Sequence, residues 1–177
     1  MKKVLFGFAL IIASFSFGQK VKYKKDLAIV DGKDFVIVKK DATSDDNYVI
    51  SSLKGDDLFY LKLNYYLDSK FIDRDNPQGK VHYFEVYSPD LNTTYFEYAF
   101  NFCFMCRYTE GFVKTIYNAK VVNEDGSVNM DKLQLLSKKM GFEFSKKRDE
   151  LQNSGGTNTV IIQDSRPRNG FNISVGR

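Results

Sequence analysis

The side chains with the most suggestive chemistry are two cysteines, Cys103 and Cys106, in a C-x-x-C spacing. Such a pair can act as a redox dithiol when a helix N-terminus or a nearby cation lowers the pKa of one thiol. However, residues 96–107 alternate between an almost wholly aromatic set and a mixed set, which predicts a strand. Strand positions three apart point to opposite faces and lie roughly 10 Å apart, too far for a disulfide without backbone movement. We therefore expect two small core residues, with a structural disulfide across a bulge or a thiol oxidoreductase as the alternatives.

Catalysis by other routes is limited by the single histidine, His82. A Ser-His-Asp or Cys-His arrangement would need this residue, and a metal site with several histidines from one chain is excluded. His82 lies among apolar neighbours in a predicted strand, where a histidine is more often a packed or rim residue than a base. The sequence contains no nucleotide-binding glycine loop, serine-hydrolase elbow or zinc-protease motif. We predict no catalytic residue, no metal and no cofactor.

Carboxylate-dependent hydrolysis stays open because it needs only two acidic side chains in one cleft. The candidate carboxylates are Asp56, Asp57, Asp73, Asp75, Glu85 and Glu97. Residues 73–76 also have the alternating oxygen ligands of a calcium loop, but Gln78 stands at the required glycine and Phe84 at the required glutamate. We interpret this segment as a solvated turn.

Aromatic side chains give the one positive indication of function, with 16 Phe and 11 Tyr against no Trp. If both faces of the strands along residues 83–108 are apolar, one face packs on helices and the other lines a cavity or a partner groove. Core packing is the simpler interpretation, because Phe and Tyr are ordinary strand residues. The tyrosines that can form a flat binding surface are Tyr65, Tyr66, Tyr95 and Tyr98.

Three successive hairpins predict the sheet that must position these residues. An Asp-Gly pair at Asp31 and Gly32 marks the first, because it tolerates the positive φ angles of a tight turn. The paired segments are, in chain order, 27–30 with 35–38, 48–50 with 58–63, and 81–87 with a strand from Tyr95 onward. A long polar surface loop, residues 68–80, separates the second hairpin from the third. The pattern predicts an antiparallel β-meander.

Helical periodicity replaces strand alternation after Gly111. One helix buries Phe112, Ile116 and Ala119, and a second, capped by Asn129 and stopped by Gly141, buries Met130, Leu133, Leu136 and Met140. Residues 145–152 predict a short polar helix, and residues 160–162 and 171–175 predict a short C-terminal strand pair. We expect an α+β fold in which two or three C-terminal helices pack against the antiparallel meander.

The N-terminus indicates export. Two lysines precede an apolar run, and small residues then stand before Gln19, as in a cleaved secretory signal over residues 1–18. The run is shorter than the roughly 20 residues that span a bilayer core. We therefore predict a single domain over residues 19–177, without a membrane span, in the periplasm or outside the cell.

Charge excludes one large class of partner. The net charge is +4, of which Lys2 and Lys3 supply two, and the remaining basic and acidic residues are interleaved, so nucleic-acid binding is not expected. We expect a non-enzymatic binder of an unidentified protein partner or an apolar ligand. The alternatives are an oxidoreductase using the cysteine pair or a carboxylate-dependent hydrolase, and the oligomeric state stays open.

Overall fold

A tight turn with two positive φ angles joins the second and third strands of the sheet, as the sequence predicts. Asp31 and Gly32 have φ values of 51° and 83°, the left-handed pair that a two-residue hairpin turn needs, and Val30 pairs with Lys33 across it. This computed structural model describes residues 20–100 and 107–153. The signal segment, the cysteine pair and the predicted C-terminal strands lie outside the described residues.

Each described strand pairs with its neighbours in sequence. Within residues 20–100 the sheet has seven antiparallel strands in the order β1 to β7, a continuous meander. The strands are β1 (Val21–Lys24), β2 (Leu27–Val30), β3 (Lys33–Asp41), β4 (Ser44–Ser51), β5 (Asp57–Leu67), β6 (Lys80–Tyr87) and β7 (Thr94–Ala99). The lysine-rich β1 forms one edge, as expected for a strand with one solvated face.

Residues 107–153 form three helices after the sheet: α1 (Thr109–Asn118), α2 (Met130–Met140) and α3 (Glu143–Asn153). The chain therefore has the predicted α+β fold, and the polar third helix is confirmed. None of the described helices combines the length and apolar character needed to cross a membrane.

One face of the sheet carries the hydrophobic core. Alternate residues of β2 to β7 are buried on this core face, among them Ala28, Val36, Ile50, Phe59, Leu61, Phe84, Val86 and Phe96. Helix α1 covers it with Phe112, Val113 and Ile116, at the helical spacing that the sequence predicts.

Phe112 is the aromatic centre of this core. Its ring centroid lies 6.1 Å from that of Phe59, 6.3 Å from that of Phe96 and 5.8 Å from that of Tyr98. These contacts join α1 to β5 and β7 at once. Ring pairs at such distances stabilise a core beyond the area that they bury.

Helix α2 closes the β7 edge. Asn129 caps it by accepting a hydrogen bond from the Lys132 amide at 3.1 Å, and Gly141 ends it with a φ of 70°. The carbonyl of Gly141 then accepts a hydrogen bond from the Glu97 amide at 3.1 Å. A backbone group of the last strand is thereby satisfied.

The first part of the strand predicted over residues 96–107 is confirmed. Strand β7 includes residues 96–99, and residues 101–106 of the prediction lie outside the described residues. Phe100 lies past the end of the strand, with its ring centroid 4.7 Å from that of Phe84 and 5.1 Å from that of Tyr108. The Phe100 ring thus packs against both β6 and the residue before α1.

A close contact between α1 and β7 gives the first prediction. A Cβ at Gly111 would lie 2.3 Å from the Tyr98 hydroxyl oxygen but 3.4 Å from the ring carbon that bears it. Gly111→Ala should destabilise the native chain, whereas in a Tyr98→Phe background the same change should be neutral or stabilising through the higher helix propensity of alanine. Urea unfolding of the four chains measures this coupling, and equal effects of Gly111→Ala in both backgrounds would contradict the contact.

Candidate functional site

The connection between β5 and β6 is the most elaborately bonded surface segment of the described chain. This β5–β6 loop spans residues 68–79 and begins with a short 3₁₀ helix, Ser69–Phe71. The buried carboxylate of Asp68 accepts a hydrogen bond from the Lys70 amide at 3.0 Å and so caps that helix. The Asp68 amide donates to the Gly79 carbonyl at 2.9 Å, which joins the two ends of the loop.

Asn76 holds the interior of the loop. Its side-chain amide donates to the carbonyls of Phe71 and Lys80 at 3.1 Å and 3.0 Å. Its side-chain oxygen accepts from the Lys80 amide at 2.9 Å. The Asn76 side chain thus connects Phe71 of the loop to Lys80, the first residue of β6.

Gly79 makes the closure sterically feasible. Its φ is +63°, and an added Cβ would lie 2.3 Å from the carbonyl oxygen of Asp68. A backbone conformation and a close approach that both favour glycine therefore coincide where the loop ends meet.

The acidic turn within the loop serves the backbone. One carboxylate oxygen of Asp73 accepts from the Asp75 and Asn76 amides at 2.8 Å and 2.7 Å. This geometry is an Asx turn, which agrees with a solvated turn. No group of three His, Cys, Asp or Glu side chains within residues 20–100 and 107–153 is arranged to hold a metal ion.

The closed loop displays two large apolar side chains. Phe71 is 52% exposed and Ile72 is 55% exposed, although the Phe71 carbonyl is fixed by Asn76. Apolar side chains on a loop that ordered contacts hold in place are candidates for an interaction site. We regard Phe71 and Ile72 as the candidate binding residues.

Two of the tyrosines predicted from sequence lie on β5, close to where this loop begins. Tyr65 is half-buried on the core face, with the Lys80 ammonium 4.9 Å from its ring centre and His82 5.8 Å away. Tyr66 points to the opposite face and is 5% exposed, and burial raises the pKa of its hydroxyl. Of these two tyrosines, only Tyr65 leaves part of its ring exposed at this end of the sheet.

The other two predicted tyrosines pack against the core. Tyr95 is half-buried with its ring centre 6.1 Å from that of Phe59. The Tyr98 hydroxyl lies against Gly111, and burial raises its pKa while a hydrogen bond with Thr115 opposes that shift. The four tyrosines therefore do not form one surface.

His82 lies in an aromatic row beside Tyr65. Its ring centre is 5.8 Å from that of Tyr65 and 6.2 Å from that of Phe100. Burial and then the nearby Lys80 ammonium lower the pKa of His82, while Asp46 opposes the shift. The contacts fit the packed or rim histidine expected from the sequence.

The structure brings together two of the candidate carboxylates. Glu85 and Glu97 stand directly opposite each other on β6 and β7, on the face that α3 covers. The other four candidates lie elsewhere: Asp56 and Asp57 at the β4–β5 turn and Asp73 and Asp75 in the β5–β6 loop. Glu97 is 1% exposed, and its carboxylate accepts hydrogen bonds from the amides of Phe144 and Ser145 at 2.7 Å and 3.0 Å.

These contacts show what the pair of carboxylates does in the fold. The first turn of a helix has unpaired N–H groups and a partial positive charge, so the Glu97 carboxylate anchors α3 to the sheet. Glu85 accepts from Arg148 of α3 at 3.3 Å and from the Tyr87 hydroxyl at 2.6 Å. Arg148 also donates to the Tyr83 hydroxyl at 3.1 Å.

Comparison of the chain with protein-family models, with curated proteins and with solved structures gave no match. The candidate site therefore rests on the chain's own residues.

A second surface feature is a groove along α3. It is open to solvent and is lined by Phe142, Ser145, Lys146, Asp149, Glu150 and Asn153. This open shape differs from the enclosed cavity that buries most of an apolar ligand.

Sequence reasoning identified the loop but missed the residues that define it. Phe71 and Ile72 stand in a polar segment without periodicity, so no pattern distinguishes them from buried apolar residues. Asn76 could have been found as a turn former, because Asn side chains commonly bond nearby backbone groups. The predicted pair Cys103 and Cys106 lies outside the described residues.

The central role of Asn76 is testable by Asn76→Ala. Losing three side-chain hydrogen bonds should destabilise the chain by about 2 kcal/mol and should make the loop much more sensitive to proteolysis. Urea unfolding and limited proteolysis measure both effects. The matched control is Asn92→Ala in the β6–β7 turn, where the exposed amide bonds the Asp90 carboxylate. If the two variants behave alike, Asn76 does not organise the loop.

Glu97→Gln tests the attachment of α3. Removing the charge should weaken both hydrogen bonds to the helix N-terminus, reduce the free energy of unfolding by about 1–3 kcal/mol and speed amide exchange in residues 144–151. Glu150→Gln is the control, because Glu150 is an exposed residue of the same helix. Unchanged exchange in the Glu97 variant would show that this carboxylate does not hold α3.

Proposed function

We propose that this chain is an exported, non-enzymatic protein of the cell envelope or extracellular space that binds a protein partner through the β5–β6 loop. Binding of an apolar ligand by the same loop is the alternative occupant of the site.

The observation that carries the proposal is the exposure of Phe71 and Ile72 on a closed loop. Each side chain leaves about half of its surface in water. Covering that surface would contribute on the order of 1 kcal/mol for each residue. The loop gains no intramolecular packing from this exposed surface, so its value lies in contact with another molecule.

Pre-organisation strengthens the argument. Binding requires the ordering of loops and side chains, and a loop already closed by Asn76, Asp68 and Asp73 has met much of that cost before the partner arrives. A protein partner benefits most from such a fixed shape, because interfaces depend on complementary surfaces. We therefore favour a protein partner over an apolar ligand as the occupant of the loop.

Neighbouring residues extend the surface. Lys70 and Arg74 are exposed within the loop, and Tyr65 and Lys80 form a cation–π pair where β5 and β6 meet it. Tyr and Arg are enriched among the residues that dominate binding energy, which favours Tyr65 and Arg74 as contacts. Lys70, Arg74 and Lys80 supply polar contacts around the exposed side chains of Phe71 and Ile72.

Two observations support export and a non-enzymatic role. Residues 1–18 have the charged, apolar and small-residue pattern of a secretory signal. The carboxylates of Glu85 and Glu97 accept hydrogen bonds from other groups of the chain, which supports a structural role for both. The oxidoreductase alternative rests on the sequence alone, because its cysteines are not among the described residues.

The test is affinity capture with the tagged, exported chain in its own host. We expect one partner to co-purify with the native chain and to be lost at least tenfold with Phe71→Ser/Ile72→Ser. Leu135→Ser is the matched control, because Leu135 is 61% exposed on α2 and belongs to no proposed contact. The partner should remain with this control.

Two outcomes would count against the proposal. A partner that all three chains retain equally would place binding elsewhere. Loss of the partner from the Leu135→Ser chain as well would indicate nonspecific adhesion of exposed apolar residues. A loop-dependent increase in 1-anilinonaphthalene-8-sulfonate fluorescence, without a captured partner, would favour the apolar ligand.

A further inference from the structure

The face of the sheet opposite the core carries apolar residues on its first strands. Leu27, Ile37, Val49 and Tyr60 come from β2, β3, β4 and β5, and we call them the outer patch. Leu27 pairs with Ile37, and Val49 pairs with Tyr60, whose hydroxyl bonds Asp41 and Asn47. Across the β3–β4 pairing, Ile37 stands opposite Ser51 and Val49 opposite Lys39, so the two apolar pairs are diagonal neighbours. Each side chain is half-buried rather than buried, whereas the adjacent residues Ala28, Val36, Ile50 and Phe59 on the core face are fully buried.

The described helices pack at other places. Helix α1 covers the core face, and α2 lies against β7. Helix α3 shares the face of the outer patch, but its ring and polar contacts go to Tyr83 and Glu85 on β6 and to Glu97 on β7. These contacts of α3 on this face thus lie over the last two strands, although Asn47 and Ser51 on β4 and Asn64 on β5 are also buried there.

The chain itself continues from the covered part of this face. Helix α3 ends at Asn153, five positions after Arg148, whose guanidinium lies over β6. Residues 154–177 follow in the sequence and can reach roughly 80 Å when extended. Four strand spacings, the distance from β6 to β2, amount to about 19 Å. The segment is long enough to cross the patch and return.

Composition fits this segment to an apolar surface. Residues 160–162 are Val-Ile-Ile, and Phe171, Ile173 and Val175 alternate with Asn172 and Ser174. As strands, residues 171–175 would have one apolar side and residues 160–162 would be apolar on both sides, so each stretch would need an apolar surface to cover it. The outer patch is an apolar surface of this kind on the face where the segment begins.

We propose that the segment 154–177 docks on the outer patch and completes the second layer of the fold beside α3. The docking is intramolecular and is independent of the β5–β6 loop.

The absence of tryptophan from the chain makes a fluorescence test direct. Val49→Trp places a single reporter in the outer patch, and Leu135→Trp places one on exposed α2 as a reference. Each reporter is measured in three full-length chains: the native tail, Ile161→Asp/Ile173→Asp, and Asn158→Asp/Asn172→Asp. The last pair is the matched control, since it adds the same charge at polar positions of the same segment.

We expect the Val49→Trp reporter to be blue-shifted and shielded from acrylamide in the native and Asn-to-Asp chains. In the Ile-to-Asp chain its emission should shift to the red, and quenching should rise several-fold. The Leu135→Trp reporter should be quenched equally in all three. Leu27→Trp repeats the test on β2 if the Val49 variant fails to fold by circular dichroism.

Two results would overturn the proposal. Equal quenching of the patch reporter in all three chains, at the level of the Leu135 reference, would show an uncovered patch. Equal shielding in all three would show that another surface covers it, and loss of that shielding on dilution would identify a second copy of the chain.

Discussion

The packing of the Phe112 ring is the interaction on which the rest of the structure depends. A meander supplies only pairings between strands that are neighbours in sequence, and such a sheet is stable only when one face is buried. The ring of Phe112 reaches Phe59 on β5 and both Phe96 and Tyr98 on β7. It thereby holds α1 against the later strands of the sheet.

The candidate binding surface lies apart from that packing. Helix α1 occupies the core face, and Glu97 holds α3 on the other face. The connection between β5 and β6 leaves the sheet at one end and makes its own contacts. Its order comes from side-chain bonds to the backbone, chiefly those of Asn76. Hydrogen bonds hold the loop in place while Phe71 and Ile72 stay exposed. In the core, by contrast, contacts between apolar side chains stabilise the fold.

Local patterns in the sequence predict most of the fold and little of the site. Asp31 and Gly32 specify a hairpin turn, Asn129 and Gly141 bound a helix, and period-two alternation assigns the strands; all are short-range signals. The pairing of Glu97 with the first turn of α3 joins residues 47 positions apart, and no short-range signal reports it. The exposure of Phe71 depends on how the loop closes, which composition does not encode.

The most direct test of this account is native-state amide hydrogen exchange in the β5–β6 loop of the unmodified chain. The Phe71, Asn76 and Lys80 amides donate hydrogen bonds that hold the loop closed, so the account predicts exchange slowed by at least a hundredfold relative to an unfolded peptide. Exchange at the unfolded rate would contradict it, because Phe71 and Ile72 would then belong to an open segment rather than a pre-organised binding surface.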